Sequence, residues 1–214
     1  MEFALLALKV PSNIEKKVRE LQSSLYRQGG LASALALPVM IPLCFVEPGV
    51  ASEKPSELRR RLRLAVGKEA PYLNSKSIAE CDGFLFWDLA PRRELQRLQR
   101  SCDKVFAPAS SQPKAERQGG RQSDLFPVVR GFFLCSLEGR SRSAVPPPAV
   151  SEPLRFPAKA AFLLHFHPLE TEPGRKERDV CATEDRPWWK SLFWEKLGEI
   201  PLRKSKTTGL EEAR

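Results

Sequence analysis

Short apolar runs of strand length recur along the chain and are bounded by turn residues. Runs of this length and composition are typical of buried β-strands. They occupy Phe3 to Val10, Val39 to Val46, Gly83 to Trp87, Phe126 to Leu137 and Phe156 to Phe166, and Tyr72 to Ile78 alternates more weakly. The pattern therefore predicts strands that begin near the N-terminus and recur into the last third of the chain.

Helical periodicity fills the intervals between these runs. Apolar residues at spacings of three and four define the first helix, and Ser12 precedes Glu15 at the spacing of a capping box. That helix carries Ile14, Val18, Leu21 and Leu25 and ends near Gly29-Gly30. Further helices are predicted from about Lys54 to Val66, after Pro91, and from Trp188 to Leu197. This alternation is typical of an α+β domain built from two similar lobes.

Three polar or proline-rich segments interrupt the pattern and are predicted to be loop inserts. They lie near residues 107–123, 140–153 and 171–186. The chain has 214 residues, of which 42% are hydrophobic and 29% charged, so it can bury a core without disulfides or a structural metal. We predict a single bilobal domain over residues 1–202 and a polar tail over residues 203–214.

The segment from Gly29 to Val46 carries no charge and approaches the length of a membrane-spanning helix. Pro38 and Pro42 would break such a helix, which favours a buried strand entered by a loop. The five cysteines have wide spacings and no CxxC pair, a pattern that favours free thiols in a reducing compartment. We therefore expect a cytoplasmic protein that makes no membrane contact.

The charge balance is basic, with 35 Lys and Arg against 26 Asp and Glu and a formal net charge of +9. Such an excess favours polyanionic partners such as RNA or nucleotides. Arg59, Arg60 and Arg63 form a dense patch on the second predicted helix. Either a solvated helix face or a phosphate-binding surface would explain this patch.

Five segments together resemble the 2H phosphoesterases, the superfamily of the bacterial 2'-5' RNA ligases. They are MEFALLALKVP, LPVMIPLCFVEP, GFLFWDL with the following LQRLQRSCDKVF, LFPVVRGFFLCSL, and FPAKAAFLLHFHPLE. Their order matches the order of elements in that family. The resemblance implies a bilobal α+β fold in which two antiparallel sheets, backed by helices, enclose a central cleft.

The resemblance also implies one His-x-Thr pair in each lobe, because the family uses two imidazoles as general acid and base on a 2',3'-cyclic phosphate. The first pair corresponds to Met40 and Pro42 in this chain. The second corresponds to Val128 and Arg130, or to Arg130 and Phe132 if the register moves by two residues. Neither pair contains a histidine, so we expect no catalysis by the mechanism of the family.

These observations predict a catalytically degenerate member that binds RNA or a nucleotide phosphate in a basic cleft. Arg130 would hold a phosphate in a bidentate contact, and Arg59, Arg60 and Arg63 would add charge. One alternative is a protein-interaction module with an apolar-filled cleft, which docks a partner through Trp188 or Trp194. Another is an active RNA 2',3'-cyclic phosphodiesterase or 2'-5' RNA ligase-like enzyme with relocated catalytic residues.

The only histidines, His165 and His167, share one face of the last predicted strand. Two imidazoles alone make a poor metal site, and the sequence places no Cys or Asp nearby to complete it. We therefore expect neither a metal nor another cofactor.

Overall fold

The computed structural model describes residues 3–46, 48–81, 83–106, 131–137, 153–168 and 192–204. The helices in these ranges are α1 (Ser12–Gly29), α2 (Ser33–Ala36), α3 (Pro55–Val66) and α4 (Arg92–Phe106), with a 3-10 helix at Pro48–Ser52. The strands are β1 (Phe3–Lys9), β2 (Ile41–Val46), β3 (Glu69–Ala70), β4 (Tyr72–Cys81), β5 (Phe84–Ala90), β6 (Gly131–Ser136), β7 (Arg155–Pro157), β8 (Ala160–Pro168), β9 (Leu192–Pro201) and β10 (Arg203–Lys204). The three predicted loop inserts and Trp188 lie outside the described residues, apart from Pro153.

Two four-stranded sheets organise the described part of the chain. The first sheet has the order β2-β1-β8-β9 and the second the order β6-β5-β4-β7. All neighbouring strands within each sheet are antiparallel. This confirms the predicted α+β class with two antiparallel sheets.

The inner faces of the two sheets meet along a boundary that we call the groove. Alternate residues of each strand point to opposite faces of a sheet, so Leu5 and Ala7 of β1 share one face. They belong to a buried group that also includes Phe86 and Phe133 of the second sheet. We call this group the inter-sheet cluster; its members are Leu5, Ala7, Leu37, Met40, Phe86, Phe133, Phe162, Leu164 and Phe166.

Helices cover the outer sides of the sheets. The apolar face predicted for α1 is buried, and α1 and α2 contact β6. Gln22 donates to the Phe133 carbonyl oxygen at 3.2 Å, and Ser33 exchanges two hydrogen bonds with the backbone of Ser136. The predicted capping box at Ser12 is wrong, because the N-cap is Pro11 and no side chain caps the helix.

The other two long helices pack on the outer face of the first sheet. An added Cβ at Gly198 of β9 would lie 3.3 Å from Leu58 of α3, so β9 and α3 are in close contact. Helix α4 lies along β2, where Cys44 meets Cys102. Their hydrogen bond and burial raise the pKa of the Cys44 thiol, so this thiol stays protonated at neutral pH. Cys44, Cys102 and Cys135 are buried thiols, as predicted.

Two sequence predictions fail near the C-terminus. The apolar run from Phe156 to Phe166 is two strands in different sheets, because the chain changes direction at Ala158 and Lys159. The Ala158 N–H donates to the Pro71 carbonyl oxygen at 3.0 Å, and the Lys159 N–H donates to the Lys9 carbonyl oxygen at 2.8 Å. We call this point the sheet junction.

The predicted aromatic helix from Trp188 to Leu197 is also wrong in its described part. From Leu192 onward the chain forms β9, which pairs with β8 along its whole length. Pairing continues past Pro201, since Arg203 and Lys204 form β10 beside β3, where the sequence predicts the start of a polar tail. None of the helices in the described ranges has the length and apolarity that a membrane crossing needs.

Candidate functional site

The two positions assigned to the first motif lie on the groove side of the first sheet. Pro42 is buried and pairs with Ala7 of β1, and Met40 precedes β2 with only 1% of its surface exposed. Strand β2 is an edge strand that contacts β6, the edge strand of the second sheet. The structure thus places the start of β2 beside the inter-sheet cluster, and the assignment of Met40 and Pro42 to a catalytic motif stays a prediction.

The groove is filled by apolar side chains where the structure describes it. Phe133 lies edge-on to Phe86, with ring centroids 6.1 Å apart and planes at 79°, and it also contacts Phe84 at 6.1 Å. All nine members of the inter-sheet cluster are hydrophobic. Burying a phosphate among such groups without compensating donors is strongly unfavourable. This packing favours the apolar-filled cleft over the basic cleft.

The described residues include only part of the segment assigned to the second motif. Val128 and Arg130 lie outside the described residues, so the phosphate-binding role of Arg130 stays a prediction. Phe132 is described and points away from the groove, because its ring packs against Trp87 at 6.3 Å and Phe156 at 5.7 Å. The neighbouring Phe133 faces the groove instead.

Charged groups at the edge of the groove are paired with each other. Glu199 accepts hydrogen bonds from Lys196 at 2.7 Å and from Lys9 at 3.3 Å. The bond from Lys196, with that from Lys9, lowers the pKa of Glu199. On the second sheet Arg92 donates to Asp88 at 2.7 Å. Each of these two carboxylates is thus neutralised by a neighbouring cation.

The arginines predicted to bind RNA lie on α3, outside the groove. Arg59, Arg60 and Arg63 are exposed on the helix layer of the first sheet, so they do not line a cleft. A bidentate hydrogen bond to Glu57 raises the pKa of Arg60. RNA binding by these three residues stays a prediction, and it would take place on the surface of α3 rather than in the groove.

Helix α4 carries a second basic surface. Its buried face is Leu95, Leu98, Cys102 and Phe106. Four exposed cations at spacings of four, three and four occupy the opposite face and form what we call the cationic stripe, namely Arg93, Arg97, Arg100 and Lys104. Gln96 and Ser101 lie beside them on the same helix. Their helical spacing is the sequence signal for this surface.

The two histidines lie on the opposite side of the first sheet from the groove. Leu164 and Phe166 of β8 belong to the inter-sheet cluster, so His165 and His167 point the other way. The Nε2 atom of His167 is 3.0 Å from the Glu195 carboxylate. Sequence reasoning missed Glu195, because a helix was predicted for the segment that forms β9.

Solved structures share this fold. LigT of E. coli in complex with NADP+ matches with a TM-score of 0.54 and 12% identity, over 94% of this chain and 97% of that chain. TT0787 of Thermus thermophilus matches with a TM-score of 0.52 and 15% identity, over 94% and 98% of the two chains. A protein described as a phosphoesterase matches with a TM-score of 0.50 and 10% identity, over 94% and 99%. The fold is 2H phosphoesterase-like, as the sequence resemblance implied.

No protein-family model matches the sequence, and no curated protein matches it.

Proposed function

We propose that this protein binds RNA through the cationic stripe of α4 and does not perform the acid–base chemistry of the 2H phosphoesterases. The proposal follows from where the two kinds of residue lie. The groove holds no imidazole in its described part and is packed with hydrophobic side chains, whereas four exposed cations are aligned on α4. The proposed binding surface therefore lies on α4, away from the groove.

The lack of a proton carrier is the argument against catalysis. The whole sequence contains two histidines, and both lie on the face of β8 that points away from the groove. Neither the Met40 thioether nor the Pro42 ring can transfer a proton. The histidines of β8 therefore do not support the alternative of a relocated catalytic pair within the groove.

Incubation with 2',3'-cyclic AMP tests this part of the proposal. We expect no turnover above the rate in buffer, measured by chromatography of the nucleotide products. A measurable rate that disappears in Arg130→Ala, or in a His165→Ala/His167→Ala variant, would contradict it. Lys17→Ala, an exposed change on α1, serves as the control for a contaminating activity.

The stripe has the dimensions and charge that a nucleic-acid strand requires. Arg93 to Lys104 covers about 16 Å of helix at ~1.5 Å per residue, which matches about five nucleotides at ~3.4 Å along one strand. Arg97 approaches Glu94 only at 3.7 Å, and the other three cations make no ion pair within the described ranges. LigT itself has been crystallised with NADP+, phosphate and 3'-AMP, which makes a phosphate-bearing partner a reasonable first probe.

Salt-dependent RNA binding tests the stripe. Each phosphate contact on single-stranded RNA steepens the plot of log affinity against log salt by about 0.7. We expect Arg97→Ala/Arg100→Ala to weaken binding of a single-stranded RNA and to flatten the slope by roughly 1.4. The measurement is fluorescence anisotropy over a series of salt concentrations.

Lys17→Ala/Arg27→Ala is the matched control, because it removes two exposed cations from α1 and changes the net charge equally. Equal losses of affinity in the two double variants would show that only net charge matters, and the stripe proposal would be wrong.

A protein-interaction module is the second candidate, and the apolar filling of the groove favours it. Trp194 supports it further, because 38% of this large side chain is exposed, while Trp188 lies outside the described residues. Association with a protein through such a surface would depend little on salt, whereas RNA binding through the stripe would weaken steeply as salt is added.

A further inference from the structure

We infer that His165, His167 and Glu195 form a binding site for a divalent transition metal ion of the zinc type. The three side chains each offer one ligand atom, and these atoms lie within 4.8 Å of one another. The site is built by strand pairing, because His165 lies opposite Glu195 in the β8–β9 register and His167 follows on the same face.

The separations fit a tetrahedral ion. Zinc bonds of about 2.0–2.1 Å to nitrogen and oxygen place two tetrahedral ligand atoms roughly 3.3 Å apart. One Glu195 oxygen lies 3.0 Å from His167 Nε2 and 3.7 Å from His165 Nδ1, so the observed values bracket the expected one. The imidazole rings are also close, with centroids 3.8 Å apart.

The ligand types select the class of metal. Two imidazole nitrogens and one carboxylate suit zinc and its neighbours in the first transition row, whereas magnesium and calcium prefer oxygen ligands only. Three protein ligands leave a fourth position for water or for another side chain. The set therefore resembles an open zinc site in composition.

The three ligands differ in burial, which restricts one of them and leaves a path by which a metal ion can reach the site. His165 is 5% exposed, so packing restricts its ring, whereas the Glu195 side chain is 49% and that of His167 32% exposed. An ion can reach the cluster from the side of Glu195 with little rearrangement. The site lies on the opposite face of the first sheet from the groove and is independent of RNA binding by α4.

The bound ion would join β8 to β9, an edge strand of the first sheet. An ion that binds the folded chain and not the unfolded one raises the stability of the fold. The experiment is calorimetric titration of the full chain with zinc chloride at neutral pH, together with thermal unfolding with and without zinc. We expect one ion per chain and a higher midpoint of unfolding when zinc is present.

Two single substitutions locate the ion. Loss of a group that merely orients a ligand lowers metal affinity by about 10- to 100-fold, so His167→Ala and Glu195→Gln should each lower zinc affinity at least tenfold. Both residues are partly exposed, so the variants should remain folded, which circular dichroism checks. Glu199→Gln is the matched control, because Glu199 is a carboxylate of the same strand outside the cluster.

The five cysteines offer another source of zinc affinity, and none of the substitutions alters them. Zinc binding that is equal in the wild type, His167→Ala and Glu195→Gln would overturn the inference and assign the ion elsewhere. Absence of binding to the wild type would overturn it as well. Cobalt added in place of zinc provides a second readout, because its visible spectrum reports a tetrahedral nitrogen–oxygen site directly.

Discussion

Phe86→Ala should lower the free energy of unfolding by about 3–5 kcal/mol, the usual cost of emptying a phenylalanine site in a core. Phe86 is fully buried and its ring contacts Phe133 across the β5–β6 pair. Phe86 belongs to the inter-sheet cluster, which contains residues from both sheets, so the cavity would open where the two halves of the protein meet. Urea denaturation followed by circular dichroism measures the change.

Phe193→Ala provides the comparison for this prediction. It also removes a phenyl ring, but from β9, where Phe193 is 55% exposed. We therefore expect the free energy of unfolding to change by no more than about 0.5 kcal/mol. Similar losses in the two variants would show that the groove is not tightly packed. The reason for excluding a phosphate from it would then disappear.

Gly131→Ala should lower the free energy of unfolding by about 3 kcal/mol, near the upper end of the range for overpacked positions. A Cβ at this position would lie 2.0 Å from the carbonyl oxygen of Trp87 and 3.0 Å from the backbone nitrogen of Leu89. These atoms belong to the backbone of β5, so the clash cannot be relieved by a side-chain rotation. Strand β6 must move away from β5 at the end where Gly131 pairs with Asp88.

Gly49→Ala is the matched control, because an added Cβ at Gly49 has no atom within 4 Å. We expect it to change the unfolding free energy by less than about 0.5 kcal/mol. If Gly131→Ala were equally harmless in urea denaturation, β6 could not pair with β5 as closely as described.

Local periodicity was enough to predict most of the first half of the fold. Helix α1 and strand β1 match their predicted ranges closely, since α1 has one buried apolar face, β1 is a continuous buried apolar run, and a clear turn follows each. The prediction of a single strand from Phe156 to Phe166 was wrong for a physical reason. An apolar strand has the same pattern in either sheet, and no glycine marks the direction change at Ala158 and Lys159.

Strand β9 could not be recognised for a related reason. Phe193 and Leu197 stand four residues apart, which indicates a helix when the segment is considered alone. In the structure, β8 presents an edge to which this segment pairs, and tertiary pairing overrides the local preference. The same error concealed Glu195, whose position beside His165 depends on strand register.

The chemistry of the candidate groove depends on more than the resemblance and the net charge. Met40 and Pro42 lie on the inner side of the first sheet, and their descent from a catalytic motif stays a prediction. Net charge alone could not reveal where the cations lie. The apolar faces of α3 and α4 pack against the rest of the protein. The arginines and lysines of these two helices therefore lie on the outer sides.

The sheet junction limits how the two halves can move. Besides the bonds of Ala158 and Lys159 to Pro71 and Lys9, the Leu202 N–H donates to the Lys159 carbonyl oxygen at 3.0 Å, so backbone from both sheets converges on two residues. Rigid-body separation of the sheets would therefore pivot about this point, in the manner of a clamshell hinge.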